Sequence, residues 1–351
     1  MPYGTGTATG LYDFFDRFKV FCEQNGWIIN LYSSDEDKNY KDGGKRLHIQ
    51  KGVQFVNLRA GYSFSDCYTS NSDSSLSAIA FYGSSSFNGA KRFHEQEGFP
   101  KNKSGYFTCS GLNYGAITRT IKYHFFAFGD CIHIAMDADG AFKHMAFGSL
   151  NKEGSYKGGY YTTGSCCHSR LTASDDIYTR FAPYSMPNRD YPHYSGTFVN
   201  MIVDDDDGWY SFGWSTTLEA SGQYSATTRK TSSSLCLNDS IVDCAPINYG
   251  KIKGYTLSSI ASSTILLPIY LFVERGVTKK VDSKDGYGEL KRDAPASLIG
   301  EIPNIYYVDM VNLNPCSIYN VDGQNYMVLP LINKKGSSAC GNMGLAIKYD
   351  G

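Results

Sequence analysis

Between Tyr123 and Leu150 apolar and other residues alternate with period two. Gly129-Asp130 and Asp139-Gly140 interrupt the alternation where two-residue hairpin turns belong. The pattern predicts a three-stranded antiparallel meander. With two-residue loops, Phe128 lies opposite Cys131 and Ala138 opposite Ala141, and every other pair follows from the period. One face then carries Phe125, Ala127, Ile132, Ile134, Met136, Met145 and Phe147, and the other His124, Phe126, Phe128, Cys131, His133, Asp137, Phe142 and His144.

A different period governs the start of the chain. In "LYDFFDRFKVFCEQNGW" the residues Leu11, Phe14, Phe15, Phe18, Phe21 and Cys22 recur at three- and four-residue spacing, and Gly26 follows as a C-terminal cap. This predicts one amphipathic helix over Leu11 to Gln24, whose narrow aromatic stripe needs a sheet or a partner to cover it. A β-rich body begins at Trp27 to Tyr32, followed by an exposed charged loop in "SSDEDKNYKDGGK". A hairpin in "RLHIQKGVQFVNLRAGYS" turns near Lys51-Gly52, and "SLSAIAFYGSSSF" is a further strand and loop.

Past the meander, "NKEGSYKGGYYTTGS" reads as a loop, and the polar stretch around "SGQYSATTRKTSSS" places a boundary near Ser234. Strands are expected near Thr264 to Glu274, Ile305 to Val311 and Tyr326 to Pro330. The fold class is therefore mainly β: antiparallel sheets or a sandwich with an N-terminal amphipathic helix, in two β-rich units, 1–234 and 235–351.

Three histidines share the second face of the meander. His124, Ala135 and His144 fall in one row, with roughly 5 Å between neighbouring Cβ atoms, and His133 sits diagonal at about 7 to 8 Å. They can serve as zinc ligands or as ordinary packed and hydrogen-bonded side chains. Three phenylalanines on the same face favour packing, so no transition metal is expected there.

Asp204 to Asp207 form a carboxylate run able to hold calcium but lacking EF-hand spacing, and a solvated turn is the competing reading. The cysteines, including adjacent Cys166 and Cys167 and the close pair Cys236 and Cys244, show no CxxC spacing. They read as buried thiols or as later disulfides between chains. Acid pairs such as Asp175-Asp176, or Glu95 with Glu97, read as solvated. With no P-loop, GxSxG, HExxH or GxGxxG in a strand-to-helix setting, no catalytic residue, cofactor or metal is assigned, and an enzyme is not expected.

Composition narrows the partners. A net charge of −1 argues against nucleic acid, which selects a basic face. The most apolar long window, from Tyr255, is broken by serines, threonines and Pro268, so no membrane insertion is expected. The first residues carry neither a basic nor an apolar leader region, which reads as synthesis in a reducing cytoplasm. High counts of Gly 36, Tyr 28 and Phe 20 suit β-structure and contact surfaces. The segment Ala173 to Phe198 has no strand or helix period and combines Tyr178, Phe181, Tyr184, Tyr191 and Tyr194 with three prolines. It is the candidate partner contact, or else a cover for the protein's own core.

The ordered segments "NGWIINLY", "KRLHIQKGVQFVNLRAGYSF", "AIAFYGSSSF", the meander and "GGYYTTGS" resemble virion structural proteins of tailed bacteriophages and prophages. The resemblance is best from Leu11 to Ser165 and looser at "GEIPNIYYVDMVNLNPC" and the C-terminal segment. It implies a tail, neck, collar or baseplate component in the virion, made in the host cytoplasm. Its partners would be other virion proteins and copies of itself, as a homo-oligomer within the particle. It transfers no catalytic residue. The acidic loop after Ser33 and the cysteine content depart from the pattern. A carbohydrate- or receptor-binding module, with Trp209 and Trp214 stacking on sugars, is the alternative; a cell-wall hydrolase is the third reading.

Overall fold

The structure is a computed structural model, and it describes residues 1–33, 44–62, 77–84, 86–96, 110–114, 120–138, 141–155, 158–164, 199–203, 210–212, 231–233, 266–274, 279–280, 290–291, 296–330 and 343–350. It is mainly β, with several antiparallel sheets and one helix near the N-terminus.

The helix is Leu11–Gln24, and the six residues of the apolar stripe are its buried face. At its start Asp13 accepts from the backbone N–H of Thr9, just ahead of the helix, at 2.8 Å. At the other end Gly26 has φ 77, and Trp27 N–H returns to the Cys22 carbonyl at 3.0 Å. The stripe lies on one face of the central sheet, where Phe14 and Phe18 each meet Phe125 edge-on at 5.4 Å between ring centroids.

That sheet runs, in spatial order, Tyr3–Ala8, Ile121–Phe128, Cys131–Ala138, Ala141–Ser149, Gly158–Gly164, Val199–Val203 and Tyr210–Phe212. The meander has the expected register: Phe128 opposite Cys131, Ala138 opposite Ala141, and His124, Ala135 and His144 in one row. Gly129, at φ 62, supplies the positive φ that a two-residue hairpin loop asks of its first position. The second turn, Asp139-Gly140, lies outside the described residues.

Two strands depart from the sequence reading. Gly158–Gly164 is a strand on the Ala141–Ser149 edge, not a loop, and Tyr3–Ala8 adds the edge beside Ile121–Phe128. Cross-strand pairing overrides the low strand preference of their glycines.

Both faces of the meander are covered. On one side, Ile132, Ile134, Met136 and Phe147 join a buried cluster with the helix and with Leu47, Ile49, Val56, Leu58 and Phe81. Those last residues belong to an outer sheet ordered Ile28–Ser33, Lys45–Lys51, Gln54–Tyr62, Ser77–Ser84 and Ser110–Tyr114. Its first hairpin pairs Lys51 with Gln54, so the chain turns at Gly52-Val53.

On the opposite side, Phe126, Phe128, Cys131 and Phe142 share a cluster with Ile269, Ile302, Ile305, Leu329, Leu345 and Ile347 of a C-terminal sheet. Its order is Thr231–Ser233, Leu267–Glu274, Ala296–Asp309, Met343–Lys348, Gln324–Pro330 and Ile318–Val321. The short strand Asn151–Lys152 also joins it, Asn151 lying opposite Glu301. Gly300 permits this junction, since a Cβ there would stand 2.6 Å from the Asn151 carbonyl oxygen. The boundary expected near Ser234 lies outside the described residues.

Candidate functional site: the histidine layer between two sheets

The meander places His133 and His144 on neighbouring strands, both fully buried under the C-terminal sheet. His144 Nε2 lies 2.8 Å from the Pro330 carbonyl oxygen, and His144 Nδ1 lies 3.1 Å from His133 Nε2. The carbonyl can only accept, so His144 Nε2 carries the proton and donates. In the neutral ring Nδ1 is then a lone pair, and His133 Nε2–H donates to it. Burial keeps the pair neutral: it pushes His144 down to about 4 and His133 well below the ordinary histidine range.

His124 is turned to a different set of partners. It is half-buried at the rim of the same layer, with Nδ1 2.7 Å from Tyr3 Oη and Nε2 3.8 Å from Cys316 Sγ. The Tyr3 ring is fixed between Phe126, at 5.1 Å, and Tyr349, at 5.0 Å between centroids. The three imidazoles therefore share a face but do not converge. Both nitrogens of His144 are engaged in hydrogen bonds, and among the described residues no group of three or more His, Cys, Asp and Glu side chains is placed to hold a metal ion.

The cysteines divide by exposure. Cys22 and Cys131 are buried free thiols, each pushed up by burial, and Cys131 donates to the Ser149 carbonyl at 3.2 Å. Cys316 is exposed. Cys166, Cys167, Cys236 and Cys244 lie outside the described residues, as do Asp204 to Asp207, Asp175-Asp176, Trp209, Trp214 and the candidate contacts Tyr178, Phe181, Tyr184, Tyr191 and Tyr194. Of the remaining acid pair, Glu97 lies outside them too, while Glu95 accepts from the Arg92 backbone N–H at 2.9 Å and closes a short 3-10 turn.

A second buried polar network, absent from the sequence reading, occupies the far face of the outer sheet. His48 Nδ1 lies 2.6 Å from Asn57 Oδ1, Asn57 Nδ2 donates to Ser84 Oγ at 2.8 Å, and Ser84 Oγ donates to the Ser86 carbonyl at 2.8 Å. That chain of donors fixes His48 with its proton on Nδ1. Burial pushes His48 down to about 4. The signal was present: alternation in "RLHIQ" and "FVNLRA" puts Arg46, His48, Asn57 and Arg59 opposite the apolar face. The register then makes His48 and Asn57 direct neighbours.

No protein-family model matches this chain, and no curated protein matches it. Chemically, the inner pair His133–His144 acts as a hydrogen-bonded clamp between sheets, whereas the outer group Tyr3–His124–Cys316 brings a base and a thiol to the surface.

Proposed function

We propose that the chain is a non-enzymatic structural protein of a tailed-phage virion. It assembles in multiple copies through subunit contacts in the neck and collar or in the tail and baseplate. One observation supports this reading above the others. Both faces of the meander are covered by the chain's own layers, and its inner histidines are spent on internal hydrogen bonds. Among the described residues, sheet edges are left open to other molecules.

Tyr3–Ala8, Ile28–Ser33 and Ile318–Val321 each stand at the end of a sheet among the described residues, and Ile28 and Ile318 are exposed there. Such edges are templates for contact with another chain. In this reading the polypeptide forms two β-rich units dividing near residue 234, partners are copies of itself and other virion proteins, and nucleic acid is not one of them. No helix among the described residues is long and apolar enough to cross a membrane.

Light scattering on the purified protein, together with a glycan-binding screen, tests the proposal. Multimers without glycan binding are expected; a monomer that binds glycans would favour the receptor-binding alternative. Replacing Tyr184 and Tyr191 together by serine tests the contact segment. A stable monomer that fails to enter particles is expected, and normal incorporation from a destabilised monomer would assign the segment to the protein's own core.

A further inference from the structure

The group Tyr3–His124–Cys316 has a geometry that packing alone does not require. Cys316 stands in the turn Asn314-Pro315-Cys316-Ser317, closed by Ser317 N–H donating to the Asn314 carbonyl at 3.2 Å. Proline suits the second position of such a turn, and the third requires positive φ. Cys316 has φ 60. The other described non-glycine residues at positive φ are Asn304 and Asp322, types that tolerate it, whereas a cysteine there is uncommon. Its backbone N–H donates to the Val328 carbonyl at 2.8 Å, so the turn is pinned and the sulfur is presented at a fixed place.

That place is within hydrogen-bond reach of a base. His124 Nε2 is 3.8 Å from the sulfur, and His124 Nδ1 is 2.7 Å from Tyr3 Oη, which itself reaches Met327 Sδ at 4.0 Å. With the Tyr3 hydroxyl donating to Met327, its oxygen is open to accept from His124 Nδ1–H. The Nε2 lone pair then points at the thiol. A nucleophile, a base and a third group orienting that base is the arrangement that activates a weak nucleophile.

We propose that Cys316 is a site of covalent modification by disulfide-bearing molecules, with His124 as proton acceptor and Tyr3 as its positioning residue. In the step, the thiol proton passes to His124 Nε2 while Cys316 Sγ attacks one sulfur of the incoming disulfide. The Cys316–sulfur bond forms as the incoming S–S bond breaks. The departing thiolate takes the proton back from the imidazolium, leaving a mixed disulfide and one free thiol. The surroundings make the base necessary. Burial and the Asp137 carboxylate push the thiol up, offset in part by Lys122, which stands opposite Asp137 on the central sheet. Burial lowers His124, against Asp137, so the resting pair is neutral and little bare thiolate exists near pH 7. Tyr3, raised by burial and facing Tyr349, stays neutral as well. The inference does not depend on the virion reading.

The test is reaction of the native full-length protein with oxidised glutathione, followed by mass mapping of the peptide that contains Cys316. A mixed disulfide at Cys316 is expected, at a rate that varies little between pH 7 and pH 8.5. An unassisted thiol would instead accelerate about tenfold per pH unit over that range, because only the thiolate reacts. His124→Gln is expected to slow the reaction at Cys316 by about tenfold or more at pH 7 and to restore the steep pH dependence. Absence of glutathione at Cys316, or a tenfold-per-unit rise in the unaltered protein, would overturn the assignment. So would an unchanged rate in a folded His124→Gln variant. The pH profile of the unaltered protein decides the matter even where the variant fails to fold.

Discussion

His144 Nε2–H donates to the Pro330 carbonyl across 2.8 Å, and this contact joins two sheets through residues 186 positions apart in the chain. The same ring keeps a lone pair on Nδ1 for His133 Nε2–H, 3.1 Å away. Protonation of that nitrogen would set two N–H groups against each other inside a buried layer, at a cost that a buried unmatched donor always carries.

Stability should therefore fall with acid in a defined window. An unfolded histidine titrates near 6.5, whereas burial pushes His144 and His48 down to about 4 and His133 well below its ordinary range. Between those values the unfolded chain binds protons that the folded chain does not, so stability is full above pH 6.5 and is lost as pH falls towards 4. His144 or His48 alone contributes a loss on the order of 3 kcal/mol by pH 4. Urea midpoints at pH 7, 5.5 and 4 check this. His144→Gln, which keeps a donor for the Pro330 carbonyl and does not titrate, should show a smaller acid loss. An equal loss would place the acid sensitivity elsewhere.

Phe125 is the ring on which the helix rests, in contact with Phe14, Phe18, Phe21 and Tyr123. Phe125→Ala should cost about 3–5 kcal/mol in urea unfolding, the range for a fully buried aromatic whose neighbours cannot all collapse into the space. A loss below about 1 kcal/mol would mean that the helix is not seated on this face.

How much of this was legible in the chain depended on sequence distance. The meander was readable to the residue because Gly129-Asp130 and Asp139-Gly140 fix its register locally, and that register placed His124 and His144 in one row. Their actual partners were not readable. Pro330, Cys316 and Tyr3 come from distant segments, and no local period reports which sheet will cover a face. The glycines of Gly158–Gly164 and Tyr3–Ala8 hid those strands, since their pairing depends on edges made by other residues. His48 was a different omission: its face followed from the alternation, whereas its neighbour Asn57 depends on the turn lying at Gly52-Val53, one residue beyond the Lys51-Gly52 expected.

Gly300 should tolerate no side chain. Its ideal Cβ position is 2.6 Å from the Asn151 carbonyl oxygen and 3.1 Å from Leu150 Cβ, and the closer of these is backbone. Gly300→Ala should therefore separate Asn151–Lys152 from the C-terminal sheet at a cost of about 1–3 kcal/mol. Amide exchange resolved by residue would show faster exchange in this short ladder, with the meander amides unchanged. Unchanged protection at Asn151 and Glu301 would refute the close approach.

Gln54 makes the most demanding prediction because its sign is unusual for a core position. It is fully buried, and neither its Nε2 nor its Oε1 has a hydrogen-bond partner among the described residues. Its cross-strand neighbour Lys51 has its ammonium 6.0 Å from the Trp27 ring centroid, and the Trp27 Nε1 donor is likewise without a partner. Burying an amide with no compensating bond costs about 1–3 kcal/mol, and an apolar side chain of similar volume removes that cost while keeping the packing. Gln54→Met should raise the unfolding free energy by about 1 kcal/mol or more, measured at pH 7, above the acid window of His48, His133 and His144. A loss of stability would instead mean that an internal water bridges Gln54 to Trp27, because such a water satisfies buried polar groups and its removal is destabilising. Trp27→Phe separates the two cases further: paired with Gln54→Met, it should be additive if the groups are independent and non-additive if one water serves both.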